Sequence, residues 1–248
     1  MANKPEWINE YASIVDSVRD KISEIAVIEE ITFRYAIIRL FARATLSMCE
    51  IHTLMNNGYP ESAFALARQI YEAIVLMDYL TTNRNDETMV ERYFDDIEIT
   101  KIKIQMEIEK YTKDDIRISA ADELDKYVEK YRDFYDEKKG FTDYWWFKKK
   151  GSFSDVVKET KFSKYYMYKE TSSILHMSIF NSTTYVGRDQ NGILIGETYD
   201  GIDKAGWYSM LCFSEAMKLL GETYNVDLND LITRGRELSE KIRKQTMV

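Results

Sequence analysis

Proline and glycine are scarce in this chain, which has only 2 prolines and 10 glycines among its 248 residues. Both residues interrupt helices, proline by removing a backbone donor and glycine by its conformational freedom. Long uninterrupted helices are therefore favoured, and no comparable series of alternating segments points to a large sheet. We predict an all-α protein, a multi-helix bundle built on long antiparallel helices.

Cysteine and histidine are also few, with two of each. Cys49 and Cys212 lie in apolar helical segments, which suits reduced, buried thiols better than a disulfide. The four side chains show none of the spacings of a zinc site. The sequence also lacks GxxxxGK[ST] and GxGxxG, the phosphate-binding patterns of nucleotide folds. We expect no metal and no cofactor.

Long apolar runs are absent, and none approaches the roughly 18 to 20 residues needed to span a bilayer. The N-terminal MANKPEWINEY has no signal-peptide hydrophobic region. We therefore expect no membrane association and a cytoplasmic location. The net charge of −8 repels polyphosphate, so broad electrostatic binding of nucleic acid is not expected, although a local basic patch is compatible with it.

Apolar residues recur at three- and four-residue steps along most of the chain. Asn57-Gly58 is a helix stop and Pro60 suits a first helical turn, so the helices on either side are predicted to form an antiparallel hairpin. The predicted helices are residues 5–28, 30–56, 60–81, 86–111, 114–138, 163–186, 204–220 and 228–244. Residues 98–111 alternate like a strand, but no turn separates them from the preceding helical pattern, and we predict helix.

The remaining segments are shorter. Ser154 is a candidate cap for a short helix beginning at Asp155. Residues 187–201 are predicted to be non-helical, with a small hairpin around Gln190-Asn191-Gly192. We interpret residues 1–248 as a single helical domain, with a core of about 30–186 on which the helices 5–28 and 204–244 pack.

Residues 139–162 contain Trp145 and Trp146 followed by three lysines, Lys148 to Lys150. One interpretation is an aromatic loop that closes one end of the bundle. The other is a lid beside a site, with Trp145 contacting a ligand and the lysines facing an anion.

Polar residues interrupt two apolar helices at intervals of four, which places them on one helical face. Arg68 and Glu72 lie in the segment 61–80, and Tyr168, Ser172 and His176 lie in the segment 165–180, flanked by Lys169 and Ser173. Buried charge must be paired or face a polar cavity. We predict that the five residues meet, either as a structural network that sets helix register or as a cleft with an acid–base histidine, a cation and a hydroxyl.

The order of these segments resembles a prokaryotic helical family catalogued as domain-of-unknown-function family 5677. The resemblance covers roughly residues 30–186 and includes the hairpin, the acidic helix with RYFDDIE, the tryptophan loop and YYMYKETSSILHMS. Its most specific part combines Gly58, Arg68 and Glu72 with Tyr168, Ser172 and His176. The family implies a helical fold and carries no established activity.

A more distant resemblance is to HEPN domains, small helical bundles that include many RNA-cleaving toxins and defence nucleases with an Arg-x4-6-His motif. Here Lys169 takes the place of the arginine, which keeps the charge but lacks the planar fork that suits phosphate.

This second resemblance implies a metal-independent ribonuclease that acts as a homodimer on RNA, or a site for a small anionic ligand. His176 would be the acid–base catalyst, Lys169 and Arg68 the phosphate-stabilising cations, and Glu72 the residue that orients Arg68. Substrate contacts would come from Tyr168, Ser172, Ser173 and Trp145. The alternatives are a non-enzymatic binding or assembly module and a small-ligand sensor with the tryptophan loop as its lid.

Overall fold

A computed structural model describes residues 3–23, 25, 32–112, 120–148, 150–175, 188–189, 192–193 and 198–246. The helices in these ranges are α1 (Trp7–Ser23), α2 (Phe33–Asn56), α3 (Pro60–Thr82), α4 (Glu87–Thr112), α5 (Ala120–Lys130), α6 (Phe153–Lys158), α7 (Tyr165–Leu175), α8 (Ile202–Tyr224) and α9 (Asn229–Thr246). The prediction of an all-α bundle is confirmed. A 3₁₀ turn (Arg132–Phe134) and two short antiparallel strands, β1 (Arg188–Asp189) and β2 (Gly192–Ile193), complete the described structure.

The α2–α3 hairpin is the framework of the bundle. Gly58 has a φ of 73°, the left-handed conformation that glycine adopts without strain, and Pro60 begins α3. The two helices therefore reverse direction within three residues and pack along their length. The Gly58 carbonyl accepts a hydrogen bond from the Thr198 N–H at 2.8 Å, which ties the turn to the segment before α8.

Helix α3 is the centre of the structure, because it packs against α2, α7 and α8. Most of its residues are buried, including Phe64, Ile70 and Leu80. Its half-buried positions between Glu61 and Leu76 form one strip that includes Gln69 and Leu76. Polar side chains on α3 therefore lie either within a packed interface or along this strip.

Helices α1 and α9 pack against each other, and α9 also packs along α8. The ring of Trp7 lies on Gly206 of α8 so closely that a Cβ there would be 2.4 Å from Trp7 Cη2. The Tyr11 hydroxyl is fully buried and shares a hydrogen bond of 2.9 Å with Ser209. These contacts hold α1 against α8.

The two tryptophans of the 139–148 loop are buried in what we call the aromatic cluster. Trp145 packs against the rings of Tyr131, Phe134 and Phe141, with centroids 4.6 to 6.1 Å apart. Trp146 contacts rings from α3 and α4, which include Tyr79 and Tyr93. The loop thus fills the space between α3, α4 and the 3₁₀ turn.

Several predicted boundaries differ from the structure. Helix α5 (Ala120–Lys130) ends eight residues before the predicted 138, and a 3₁₀ turn follows it, while 114–119 of the prediction lie outside the described residues. Helix α6 begins at Phe153, so Ser154 is not its cap. Ser152 occupies that position, and its hydroxyl donates to the Asp155 carboxylate at 2.7 Å.

Two further boundaries concern α7 and α8. Helix α8 continues through Gly221 to Tyr224, and the left-handed φ of 56° at the next residue, Asn225, stops it. The part of the predicted second core helix beyond Leu175 lies outside the described residues. The ambiguous second half of α4 is helical, as predicted.

Candidate functional site

Arg68 of α3 and Tyr168 of α7 meet across the interface between these two helices. Arg68 Nε donates to Glu72 Oε1 at 2.7 Å, and its Nη2 donates to the Tyr168 hydroxyl at 2.9 Å. The guanidinium carbon is also 4.5 Å from the centroid of the Tyr168 ring. The structure therefore brings together three of the five polar residues that helical spacing singles out. We call these three residues, Arg68, Glu72 and Tyr168, the Arg68 group.

The environment of this group keeps Arg68 charged. Partial burial acts to lower the pKa of Arg68, but the hydrogen bond and negative charge of Glu72 outweigh it and the pKa is raised. The side chains of Arg68 and Glu72 are 26% and 29% exposed, so neither is sealed in the core. Among the described residues, none accepts a hydrogen bond from Arg68 Nη1. In the described part of the chain, Nη1 of an oriented guanidinium is therefore left without an acceptor.

Ser172 lies one turn beyond Tyr168 on α7. Its hydroxyl oxygen is shielded from solvent and has no hydrogen-bond partner in the described part of the chain. A buried hydroxyl without a partner is uncommon, because it loses its bonds to water without replacing them. The neighbouring Ser173 differs, since its hydroxyl donates to the Glu170 carbonyl at 2.7 Å.

The other predicted site residues lie elsewhere or outside the description. Lys169 is exposed and holds its ammonium 5.6 Å from the ring centroid of Tyr165. Trp145 is fully buried, and its indole N–H donates to Asp96 at 2.6 Å. These contacts agree with the interpretation in which an aromatic loop closes one end of the bundle. They leave Trp145 no exposed surface for a ligand. His176 lies outside the described residues.

Tyr144 is a residue of the site that sequence reasoning missed. Burial raises the pKa of its hydroxyl, and so do the negative charge of Glu72 and the nearby Tyr168, while Arg68 acts in the opposite direction. Its ring packs 5.8 Å from that of Phe153. The adjacent Trp145–Trp146 pair indicates an aromatic loop in the sequence. No regular spacing of residues predicts that this loop lies beside α3.

A second polar group joins α7 to α8 and was also missed. Glu170 accepts a hydrogen bond from Lys204 at 2.8 Å and another from the Tyr208 hydroxyl. Burial acts to raise the pKa of Glu170, but the hydrogen bonds from Lys204 and Tyr208 outweigh it and the pKa is lowered. Helix α7 thus presents Tyr168 to α3 and Glu170 to α8.

Two kinds of feature are absent from the described ranges. Within them, no group of three or more His, Cys, Asp and Glu side chains is arranged to hold a metal ion. No described helix combines the length and apolar character needed to cross a membrane.

Comparison with known proteins places the chain in a family. Residues 34–193, nearly two thirds of the chain, match the model of a family of unknown function, DUF5677. The chain belongs to this family. The matched range contains the α2–α3 hairpin, α4, the aromatic cluster and α7, and hence every residue of the Arg68 group. No curated protein and no solved structure matches the chain.

Proposed function

We propose that the Arg68 group binds a phosphate of an RNA backbone and that, together with His176, it cleaves that backbone without a metal ion. The observation that carries the proposal is the way in which neighbouring side chains hold the Arg68 guanidinium. Glu72 and Tyr168 fix its guanidinium through Nε and Nη2, its Nη1 has no acceptor among the described residues, and the side chain is 26% exposed. A guanidinium held in this way offers two N–H groups in the geometry that a phosphate accepts.

The chemistry needs a base, an acid and a cation. The 2′-oxygen attacks phosphorus, the 5′-oxygen leaves, and the products are a 2′,3′-cyclic phosphate and a free 5′-hydroxyl. His176, four residues beyond Ser172 in sequence, would take the 2′-hydroxyl proton and return a proton to the leaving oxygen. Arg68 would stabilise the charge that develops on the non-bridging oxygens.

Cleavage of a labelled RNA in excess EDTA tests the proposal. We expect the wild-type protein to cleave and His176→Ala to lose activity by about 10²-fold or more, because general acid–base catalysis contributes about 10²–10⁴-fold. His52→Ala is the matched control, since the ring of His52 stacks on that of Tyr11 of α1, with 6.4 Å between centroids. Absence of cleavage, or equal cleavage by His176→Ala, contradicts the ribonuclease proposal.

RNA binding tests the role of Arg68 separately. Arg68→Ala should weaken binding and reduce the salt slope by about one, because one phosphate contact is lost. Arg43→Ala is the control, since Arg43 is an exposed arginine on α2 that donates to Gln69 at 2.6 Å. Equal binding by the two variants would contradict the phosphate assignment.

The second candidate is a non-enzymatic binding or assembly module in which the Arg68 group is structural. The observation that favours it is that Arg68 already has two partners within its own chain. In that case Arg68→Ala lowers stability and leaves RNA binding unchanged.

A further inference from the structure

Helix α4 carries an unusual amount of exposed apolar surface. Seven large hydrophobic side chains are exposed among the described residues, and four of them lie on α4: Ile97 (39%), Ile104 (57%), Ile108 (47%) and Tyr111 (84%). Single exposed hydrophobic residues are ordinary, but a contiguous group on one element marks an interaction surface.

These four residues form one stripe, which we call the α4 stripe. They are separated by seven, four and three positions, which together make two heptads, the repeat with which one helix presents a seam to another. The buried side of the same helix is formed by other residues, including Ile99 and Ile102. Helix α4 therefore has two apolar faces, and its buried residues in the described part of the chain occupy only one of them.

The charges beside the stripe are balanced. Lys101 pairs with Glu98 at 2.7 Å, and Lys110 pairs with Glu107 at 2.5 Å. A surface on which neighbouring cations and carboxylates neutralise each other does not attract a polyanion. The stripe is thus better suited to a protein helix with a matching alternation of charges than to RNA.

We propose that the α4 stripe binds the α4 stripe of a second copy of this chain, antiparallel and across a two-fold axis level with Gln105. With 1.5 Å of rise and 100° of turn per residue, this arrangement interleaves Ile104 and Ile108 of the two copies. It also places Ile97 of each copy about 3 Å along the helix axis from the level of Tyr111 of the other. The interface is isologous, as in most closed dimers.

Charge complementarity selects this register. Glu107 and Lys103 lie on the same side of the stripe, two residues to either side of Gln105. In an antiparallel pair the same sides of the two helices face each other, so Glu107 of one copy lies level with Lys103 of the second, twice by symmetry. Lys103 donates one hydrogen bond to the Phe141 carbonyl at 2.6 Å, and its ammonium retains two further donors for the pair.

Sedimentation equilibrium over a wide concentration range tests the interface. We expect wild-type protein to dimerise and Ile104→Asp to weaken the dimer at least about tenfold, because it places a carboxylate in the apolar seam. Leu46→Asp is the matched control, since Leu46 is 49% exposed on α2. The proposal fails if the wild-type protein is a monomer throughout, or if the two variants weaken the dimer equally.

A cysteine at position 104 tests the register. For helices about 9 Å apart, the two Ile104 Cα atoms would be separated by about 5 Å, within the range that a disulfide spans. Ile104→Cys should therefore form a covalent dimer under mild oxidation, and the unsubstituted protein, with Cys49 and Cys212, should not. A dimer that does not cross-link through position 104 would contradict the antiparallel register. Neither experiment depends on RNA cleavage, so its outcome is separate from that of the proposed function.

Discussion

The indole N–H of Trp145 donates a 2.6 Å hydrogen bond to Asp96, a carboxylate largely enclosed between α4 and the aromatic cluster. Burial raises the pKa of Asp96 to about 6, although the Trp145 hydrogen bond and the charge of Lys103 act in the opposite direction. A raised carboxyl pKa means that the folded protein binds a proton more readily than the unfolded chain.

This relationship predicts a stability change between about pH 4 and pH 6. The folded state binds the extra proton in that window, so the free energy of unfolding falls as the pH rises through it. Asp96→Asn keeps an oxygen acceptor for Trp145 and removes the buried charge. We expect this variant to be more stable than wild type at pH 7.5, by on the order of 1–2 kcal/mol, and similar to it near pH 4.

Urea unfolding at a series of pH values measures the effect. Asp143→Asn is the control, since Asp143 is an exposed neighbour whose charge is a minor influence on Asp96. If the wild-type and Asp96→Asn profiles run parallel across the window, Asp96 does not have the raised pKa.

A double-mutant cycle tests whether the Arg68–Glu72 pair stabilises the fold. The pair is about a quarter exposed and well aligned, so we expect a coupling of about 1 kcal/mol between Arg68→Met and Glu72→Gln, above that of a fully exposed pair. The Arg19–Asp16 pair, at 60% and 68% exposure, is the comparison and should show no measurable coupling. A null result for both pairs would mean that the Arg68 group is not held together for stability.

Tyr168→Phe separates the two contacts that Tyr168 makes with Arg68. It removes the hydroxyl acceptor and retains the ring beneath the guanidinium. We expect a loss of about 0.5–1.5 kcal/mol in the free energy of unfolding, the range for one hydrogen bond. A much larger loss would show that the ring itself is displaced, which the near-ultraviolet circular dichroism of the variant would report.

The sequence was informative about the long helices because their signals are local. The apolar repeat defines α2 and α3 to within a few residues, and the Asn57-Gly58 signal corresponds to a left-handed glycine at that position. Short helices were harder to place. The start of α6 depends on the hydrogen bond between Ser152 and Asp155, and a neighbouring serine gives an equally good cap signal.

The site was predictable only where it lies on a helical repeat. The four-residue spacing puts Arg68 beside Glu72, and the structure brings Tyr168 to them from α7. Tyr144 and Lys204 reach the neighbourhood of α7 from a loop and from α8. Tertiary packing determines which loop residue and which face of α8 contact α7. No periodicity in the sequence predicts those contacts.

The Glu170–Lys204 pair predicts a pH dependence opposite in sign to that of Asp96. The pKa of Glu170 is lowered in the folded state, so its ionised form stabilises the fold above the ordinary glutamate pKa. This contribution is lost as the pH falls through the lowered pKa, in the region below about pH 4.3. We expect the stability difference between wild type and Glu170→Gln to shrink as the pH falls from 6 to 3. A difference that is constant over this range would contradict the ion pair.

Gly206 gives the sharpest packing prediction. A Cβ at this position would lie 2.4 Å from Cη2 and 2.7 Å from Cζ3 of Trp7, closer than atoms in a packed interior approach. Alanine is otherwise a better helix former than glycine, by about 1 kcal/mol, so helix propensity alone predicts that Gly206→Ala stabilises α8. Because the indole of Trp7 is fixed by its N–H bond to Asp203 at 3.2 Å, we expect the clash to prevail and to cost about 1–3 kcal/mol.

Thermal unfolding of Gly206→Ala shows whether the clash or the gain in helix propensity prevails. Trp7→Phe removes the clashing atoms, so Gly206→Ala should cost less in that background than in wild type; an equal cost in both would place the strain elsewhere.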